Sequence, residues 1–171
     1  YLFSIGGDGT LLKAVTYIRE SNIPIMGINT GRLGFISSIS TDQIDVAVDN
    51  VLNGEYKIRS RTVLEIDTEN NLFGTTNFAL NEVAIVKKDT SSMIRIDAFI
   101  DGEFLNSYWA DGLLISTPTG STGYSLSCGG PIILPGTENI IIAPIAPHNL
   151  NVRPIIINEN STIRLKVEDR D

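Results

Sequence analysis

The sequence contains very little cysteine and histidine, with one residue of each, Cys128 and His148, in 171 positions. A single cysteine excludes a disulfide within the chain. Structural zinc sites take about four cysteine or histidine ligands, so that class of site is excluded as well. Cations that prefer oxygen ligands, such as magnesium, are compatible with the composition. We expect Cys128 to be a small packing residue and His148 to be a structural histidine with satisfied hydrogen bonds.

Long hydrophobic runs are also missing. The longest ones, at 140–143 and 155–157, are far shorter than the ~20 residues that span a bilayer, and no segment resembles a signal peptide. We therefore expect a soluble, cytoplasmic protein that does not bind membranes.

Positive charge is scarce relative to negative charge. The chain has 13 lysine and arginine residues against 20 aspartate and glutamate residues, which gives a net charge of -7. Such a field repels nucleic acids and anionic membranes, so we expect neither as a partner. An anionic ligand would have to be held by local backbone geometry.

The first part of the chain has apolar residues at helical spacing between two apolar runs, at 2–5 and 23–28. This pattern predicts a strand, a loop, a helix and a second strand. A second helix is predicted after the capping pair Ser40 and Gln43, with Gly54 as its stop. We interpret residues 1–55 as an α/β nucleotide-binding domain.

Beyond residue 56 the apolar residues recur with the period of two that is typical of strands. They alternate over 94–100, up to a two-residue hairpin signal at Asp101-Gly102. We expect residues 56–171 to form a strand-rich domain.

The ends of the chain are unusual for a whole protein. It begins at Tyr1, inside an apolar run that predicts a strand, and it stops at Asp171 among charged residues. We expect a fragment in which each domain lacks its outer end.

Residues 6–10, Gly-Gly-Asp-Gly-Thr, lie where the first predicted strand gives way to the first predicted helix. Unpaired amide groups and the positive end of the helix dipole attract phosphate at such a turn. The predicted phosphate-binding residues are Gly6, Gly7, Gly9 and Thr10. A carboxylate repels phosphate unless it accepts a proton or holds a metal, so Asp8 is predicted to take part in the chemistry. The alternative is that Asp8 and Thr10 only cap the helix.

Three further positions follow or interrupt predicted strands. Phe35 ends a loop at the strand edge where open α/β sheets bind ligands, and it either stacks on a base or packs in the core. Asn81 and Glu82 interrupt an apolar strand. They either hydrogen-bond a sugar or base edge, or mark a bulge or an edge position.

The segment from 110 to 127 is rich in polar and small residues. Asp111, which precedes Gly112, either accepts hydrogen bonds from a ligand or is a turn residue. Residues 117–127 carry many hydroxyl groups and glycines, which suits close contact with a polar ligand. A flexible linker is the alternative, although Pro118 and Tyr124 are poor linker residues.

Six motifs, taken together and in order, resemble those of the NAD kinase family. They are Gly-Gly-Asp-Gly-Thr at 6–10, Asn-Thr-Gly-Arg-Leu-Gly-Phe at 29–35, Asn-Glu at 81–82, Ala-Asp-Gly at 110–112, Ser-Thr-Pro-Thr-Gly-Ser-Thr-Gly-Tyr at 116–124 and Pro-His-Asn-Leu at 147–150. The resemblance covers essentially the whole chain. The first motif is shared with diacylglycerol, sphingosine and phosphofructokinase relatives, whereas the hydroxyl-rich segment together with Asn-Glu is far more specific.

The resemblance implies an α/β domain followed by a strand-rich domain, in a homodimer or homotetramer. It implies an enzyme that moves the terminal phosphoryl group of ATP, or of polyphosphate, to the 2′-hydroxyl of the adenosine ribose of NAD. Phosphoryl transfer also asks for a divalent cation, so we expect Mg²⁺ bound with ATP and no dedicated protein metal site. The family has further segments before the first motif and after residue 171.

The resemblance also assigns roles to residues. Asp8 is similar to the family's general base, Asn81 and Glu82 resemble contacts to the adenosine, and Asp111 resembles the residue that holds the nicotinamide end. With Phe35 from the loop argument, the expected NAD-binding residues are Asp8, Gly9, Phe35, Asn81, Glu82, Asp111, Thr122, Gly123, Tyr124, Ser125, Leu126, Ser127 and Ala146. Gly123 is a departure, because alanine is commoner at this position in the family.

Two other functions fit parts of the sequence. A lipid or sugar kinase would share the first motif, but a lipid kinase should show a basic or apolar patch toward the membrane, which the charge of -7 does not supply. A non-catalytic dinucleotide-binding sensor would not require the carboxylate of Asp8.

Overall fold

The computed structural model describes residues 1–31, 34–88 and 92–168. The chain divides into two compact units, Tyr1–Ser60 and Arg61–Asp171. Arg32 and Leu33, which belong to the 29–35 motif, lie outside the described residues. In the part of the chain that is described, no helix is long and apolar enough to cross a membrane.

The first unit contains a small parallel sheet. Its strands β1 (Leu2–Ile5), β2 (Ile25–Asn29) and β3 (Ile39–Ser40) pair in that order. Helix α1 (Asp8–Ile18) connects β1 to β2 and buries Leu11 and Ala14. Gly27 of β2 permits this packing, because a Cβ there would lie 2.7 Å from Leu11 Cδ1.

The second helix of this unit, α2 (Ile44–Asn53), follows a 3₁₀ turn over Thr41–Gln43. The Ser40 N–H donates to Gln43 Oε1 at 3.4 Å just before the turn. Gly54 ends the helix with φ at 74°, the left-handed conformation that glycine adopts without strain. The predicted helix and its start and stop signals are confirmed.

The second unit consists mainly of antiparallel strands. They are β4 (Leu64–Glu65), β5 (Phe78–Ala79), β6 (Glu82–Val86), β7 (Ile94–Ile100), β8 (Glu103–Ala110), β9 (Gly112–Ser116), β10 (Asn139–Ile145), β11 (Ile155–Asn158) and β12 (Ile163–Glu168). They form sheets in the orders β11-β10-β9-β6, β12-β7-β8 and β4-β5. A 3₁₀ turn at Thr119–Thr122 and helix α3 (Tyr124–Ser127) follow β9. The prediction of an α/β part followed by a strand-rich part is confirmed.

Strands β9 and β10 lie at the centre of their sheet and are buried on both faces. Leu113 and Ile142 contribute to one hydrophobic cluster, whereas Leu114 and Ile141 contribute to a second cluster on the opposite face. A strand that is covered on both sides loses the alternation of polar and apolar residues. This explains the continuous apolar sequences of the two strands.

Strands β7 and β8 form the predicted hairpin. Its two turn residues, Asp101 and Gly102, have φ values of 51° and 89°. Positive φ at both positions is typical of the type I′ turn, whose twist matches that of paired strands. The hairpin prediction is confirmed.

Candidate functional site

The glycine-rich turn of the first unit joins β1 to α1. Gly7 and Gly9 are exposed, and a Cβ at either position would meet nothing within 4 Å. Gly6 is confined instead, because a Cβ there would lie 2.3 Å from Thr10 Oγ1. The turn therefore presents open backbone at the N-terminus of an 11-residue helix, where a phosphate can approach the amide groups.

The carboxylate of Asp8 binds the loop that follows β2, not the start of its own helix. Oδ2 accepts the Phe35 N–H at 2.8 Å. Oδ1 accepts the Ile36 N–H at 3.1 Å and the Ser37 N–H at 2.9 Å. The N-cap of α1 is Gly7, and no side chain caps it. The alternative that Asp8 serves only as a helix cap is therefore wrong.

Two opposing effects act on the pKa of Asp8. Partial burial raises the pKa, but the hydrogen bonds from the amides of Ser37, Phe35 and Ile36 outweigh it and hold the pKa below its ordinary value. Hydrogen bonds donated to a carboxylate favour its charged form. Asp8 is thus an ionised and oriented carboxylate at neutral pH.

Phe35 is 76% exposed, although its backbone N–H donates to Asp8. The alternative that Phe35 packs in the core is therefore wrong. An exposed aromatic ring, on a residue whose N–H is bonded to Asp8, is available to stack on a planar ligand.

In the second unit, Asn81 and Glu82 lie where β6 begins. The Asn81 carbonyl accepts the Thr117 N–H at 2.9 Å, and Glu82 pairs with Ser116 of β9. Strand β6 is an edge of its sheet, as one alternative predicted. An edge position does not account for the side chains, because the buried Asn81 Oδ1 and Glu82 Oε2 have no hydrogen-bond partner within the described residues.

Unpaired buried polar atoms are rare in proteins and costly, so two adjacent ones suggest a missing partner. Gly123 lies against both side chains, since a Cβ there would be 3.1 Å from Glu82 Oε2 and 3.8 Å from Asn81 Nδ2. Ser125 Oγ is a third buried atom without a partner in the described part of the chain. The fold thus brings Asn81, Glu82 and Gly123 together, with unpaired polar atoms of Asn81 and Glu82 beside Gly123.

The segment between β9 and α3 is folded and largely buried, so the alternative of a flexible linker is wrong. Several of its hydroxyl groups serve the fold. Thr117 Oγ1 donates to the Leu80 carbonyl at 2.5 Å and accepts the Gly120 N–H at 3.1 Å. Ser121 Oγ donates to the Pro118 carbonyl at 2.8 Å.

The remaining predicted residues of this segment lie around α3. Ser125 is fully buried, and Tyr124 and Leu126 are 43% and 45% exposed. Thr122 is half-buried, and Ser127 is exposed. The structural hydrogen bonds of Thr117 and Ser121 thus lie in the N-terminal half of the segment.

Asp111 is the single residue between β8 and β9, and its carboxylate pairs with a lysine. Lys87 Nζ lies 2.6 Å from Asp111 Oδ1, and the Lys87 N–H donates to the Asp111 carbonyl at 2.9 Å. Sequence reasoning missed Lys87. The signal was available only from the strand register, because Val86 pairs with Gly112 and the next pair is therefore Lys87 with Asp111.

Ala146 directly follows Ile145, the residue of β10 that is hydrogen-bonded to Asp111. The Asp111 N–H donates to the carbonyl of Ile145, the residue before it. Ala146 itself is exposed and has φ at 44°. A non-glycine residue in the left-handed region is strained, and such strain concentrates at functional positions.

The two residues expected to be structural behave differently. Cys128 is half-buried and packs against the cluster of Leu114 and Ile141, as predicted. His148 is exposed, and its backbone N–H donates to the Trp109 carbonyl at 2.8 Å. The fold therefore holds this residue through its backbone, and the expectation of a structural histidine stays a prediction.

The pKa of the Cys128 thiol depends on the charge of Glu82. Burial raises the pKa of the thiol, and the Glu82 carboxylate raises it further. We expect Glu82→Gln to accelerate alkylation of Cys128 by iodoacetamide at pH 8, because a lower pKa increases the thiolate fraction. Within residues 1–171 Cys128 is the one cysteine, so the peptide that contains it identifies the labelled site. Mass spectrometry measures the rate, exposed Glu138→Gln is the control, and equal rates in both variants would contradict the expectation.

Within the described ranges, no group of three or more histidine, cysteine, aspartate or glutamate side chains could hold a metal ion. Magnesium in phosphate-binding sites usually keeps several waters and takes one or two carboxylates along with substrate phosphates.

Comparison with known proteins matches both units to family models. Residues 2–56 match the model of the ATP-NAD kinase N-terminal domain, and residues 80–171 match the ATP-NAD kinase C-terminal domain. Among similar sequences, NAD kinase of Cytophaga hutchinsonii is 56% identical over 170 residues, with 99% of this chain covered. NAD kinase of Christiangramia forsetii is 52% identical, with 98% covered. The chain spans 58% of the length of each of these relatives.

The fold of this chain is also similar to the folds of solved NAD and NADH kinase structures. Yeast NADH kinase complexed with NADH superimposes with a TM-score of 0.86 at 33% identity, covering 97% of this chain and 50% of the yeast chain. An NAD kinase from Archaeoglobus fulgidus in complex with ATP superimposes with a TM-score of 0.84 at 31% identity, covering 97% and 64%.

Proposed function

Because the chain belongs to the ATP-NAD kinase family, we propose that the whole protein is a NAD kinase. It transfers the terminal phosphoryl group of ATP to the 2′-hydroxyl of the adenosine ribose of NAD and forms NADP. Polyphosphate is the alternative donor. The observation that carries the proposal is the carboxylate of Asp8, held ionised by three amides at a helix start whose neighbouring glycines are open.

Asp8 is the general base of this proposal. The 2′-oxygen bonds to the terminal phosphorus, the bond between that phosphorus and the oxygen of ADP breaks, and the hydroxyl proton passes to Asp8. An aspartate with a lowered pKa is a weak base. Its contribution should therefore lie at or below the ~10²–10⁴-fold typical of general-base help.

The phosphate contacts are assigned to the turn before α1. Gly7 and Gly9 are open to solvent, and the helix dipole favours an anion at this end. Gly6 and Thr10 support the turn, because the absence of a Cβ at Gly6 leaves room for the Thr10 side chain. These four residues would contact the donor phosphates or the pyrophosphate of the dinucleotide.

The second unit is proposed to hold most of the dinucleotide. Asn81 Oδ1 and Glu82 Oε2 would accept hydrogen bonds from the adenosine, which would supply the partners they lack. Gly123, Ser125 and the neighbouring residues Thr122, Tyr124, Leu126 and Ser127 would line the same pocket. Asp111 and Ala146 would bind the nicotinamide end. Phe35 is proposed, separately, to stack on a base.

Magnesium is proposed to enter with ATP. The ion would be held mainly by the donor phosphates and water, because the described residues contain no group of acidic side chains that could cage it. When bound, it neutralises charge on the phosphates during transfer. No described residue is assigned as a dedicated ligand.

The direct test uses the full-length protein with NAD, magnesium and either ATP or polyphosphate. NADP is measured with an NADP-specific dehydrogenase, and we expect NADP with at least one donor. A parallel reaction with diacylglycerol or fructose 6-phosphate tests the lipid and sugar kinase alternatives. Absence of NADP at high enzyme concentration, with NAD binding intact, would instead favour the non-catalytic sensor.

A further inference from the structure

Gly34 lies directly against the carboxylate of Asp8. A Cβ built on Gly34 would be 2.2 Å from Oδ1, 2.5 Å from Cγ and 2.6 Å from Oδ2 of Asp8. Real Cβ atoms do not approach other heavy atoms this closely. A side chain of any kind at position 34 would therefore displace the carboxylate.

The backbone of residues 35–37, directly after Gly34, occupies most of the hydrogen-bonding capacity of that carboxylate. An ionised carboxylate has about four acceptor positions, two on each oxygen. Oδ1 accepts two N–H groups, from Ile36 and Ser37, whereas Oδ2 accepts one, from Phe35. Within the described residues, one acceptor position remains, and it is on Oδ2.

We propose that Gly34 is a positioning residue for Asp8 and that the 34–37 backbone directs Oδ2 to the reacting hydroxyl. This inference rests on the proposed function. As the 2′-oxygen bonds to the terminal phosphorus and the bond to ADP breaks, the hydroxyl proton moves to Oδ2 and then to water. Oδ1 stays saturated by two amides and does not take the proton.

Gly31 provides a matched control in the same loop. It is exposed, and a Cβ there would lie 3.9 Å from the Asn29 Oδ1, which is ordinary van der Waals contact. Gly31 does not have a positive φ, so alanine does not strain the backbone at the control position. The two substitutions differ in whether the new methyl group meets Asp8.

Gly34→Ala in the full-length protein is expected to lower kcat by about 10²-fold, because misplacing a reacting group by about 1 Å has an effect of that size. The KM for NAD should change less than about threefold, since most proposed NAD contacts lie in the second unit. Gly31→Ala should retain kcat within about twofold. A Gly34→Ala enzyme with unchanged kcat would overturn the proposal.

Two measurements that do not depend on turnover test the contact itself. Hydrogen exchange of the Phe35, Ile36 and Ser37 amides should be slow in the wild type and faster in both Gly34→Ala and Asp8→Ala. In a double-mutant cycle, Gly34→Ala should lower the denaturation midpoint when Asp8 is present and have little effect in the Asp8→Ala background. Equal effects in both backgrounds, or unchanged exchange, would overturn the positioning role.

These readouts separate this inference from the proposed function. If the wild-type protein forms no NADP while exchange and coupling behave as expected, the kinase assignment fails, and with it the assignment of Oδ2 as proton acceptor. If NADP forms but Gly34→Ala retains kcat, only the positioning role fails. If the Gly34→Ala protein does not fold, the Asp8→Ala/Gly34→Ala variant provides the test. This variant removes the clash between the new methyl group and the carboxylate, so it should fold.

Discussion

Replacing Asp8 with asparagine in the full-length protein is expected to lower kcat by about 10²–10⁴-fold while NAD binding changes little. Asparagine keeps the size of the side chain but cannot accept a proton from the 2′-hydroxyl. Its single carbonyl oxygen also cannot replace both carboxylate oxygens toward the three amides of residues 35–37. Coupled NADP formation measures kcat, and calorimetry measures NAD affinity.

Two variants sharpen the Asp8 prediction. Asp49→Asn, an exposed position of α2 in the same unit, makes the same change in charge and should leave kcat unchanged. Asp8→Glu keeps a carboxylate but adds a methylene, so its oxygens cannot occupy the same positions beside Gly34. We expect this variant to lose turnover as well. Survival of turnover in Asp8→Asn would mean that Asp8 is not the base.

Thr117→Val is expected to lower the free energy of unfolding by about 2–4 kcal/mol, because it leaves two buried groups unpaired. Thr117 is fully buried. Its hydroxyl donates to the Leu80 carbonyl and accepts the Gly120 N–H, so valine removes a partner from each. Urea denaturation of the two variants, valine and serine, measures the effect.

Thr117→Ser is the matched control, because it keeps the hydroxyl and removes one methyl group, worth about 0.8 kcal/mol. The valine variant should also weaken NAD binding. Gly120 is packed so closely on Asn81 that a Cβ there would lie 2.2 Å from the Asn81 carbonyl oxygen, so a shift of the turn moves Asn81. Equal stability of the valine and serine variants would mean that these hydrogen bonds contribute little.

The elements that sequence predicted well depend on residues that are close along the chain. Helix α2 follows from a capping pair three residues apart and a glycine at its end. The β7-β8 hairpin follows from two adjacent residues that tolerate positive φ. Such interactions form within one turn of chain, so their geometry depends little on the rest of the fold.

Burial was predicted less well than secondary structure. Phe35 is apolar and was given packing in the core as one alternative, yet it is 76% exposed. Hydrophobicity states what a side chain gains by burial, but the surrounding elements decide whether space exists for it. Strands β9 and β10 illustrate the converse, because sequence shows their apolar runs but not which strands cover them.

The sequence by itself determined the family, the two-part architecture and the residue types of the site, because motifs of contiguous residues carry that information. Only the tertiary structure decided which atoms of these residues form hydrogen bonds and contacts with one another. Asp8 binds amides 27 to 29 positions away, Gly34 borders its carboxylate, and Asp111 pairs with Lys87. Contacts between distant residues depend on strand register and loop path, which no local pattern specifies. The free acceptor position on Asp8 is therefore a property of the fold, whereas the presence of the carboxylate is a property of the sequence.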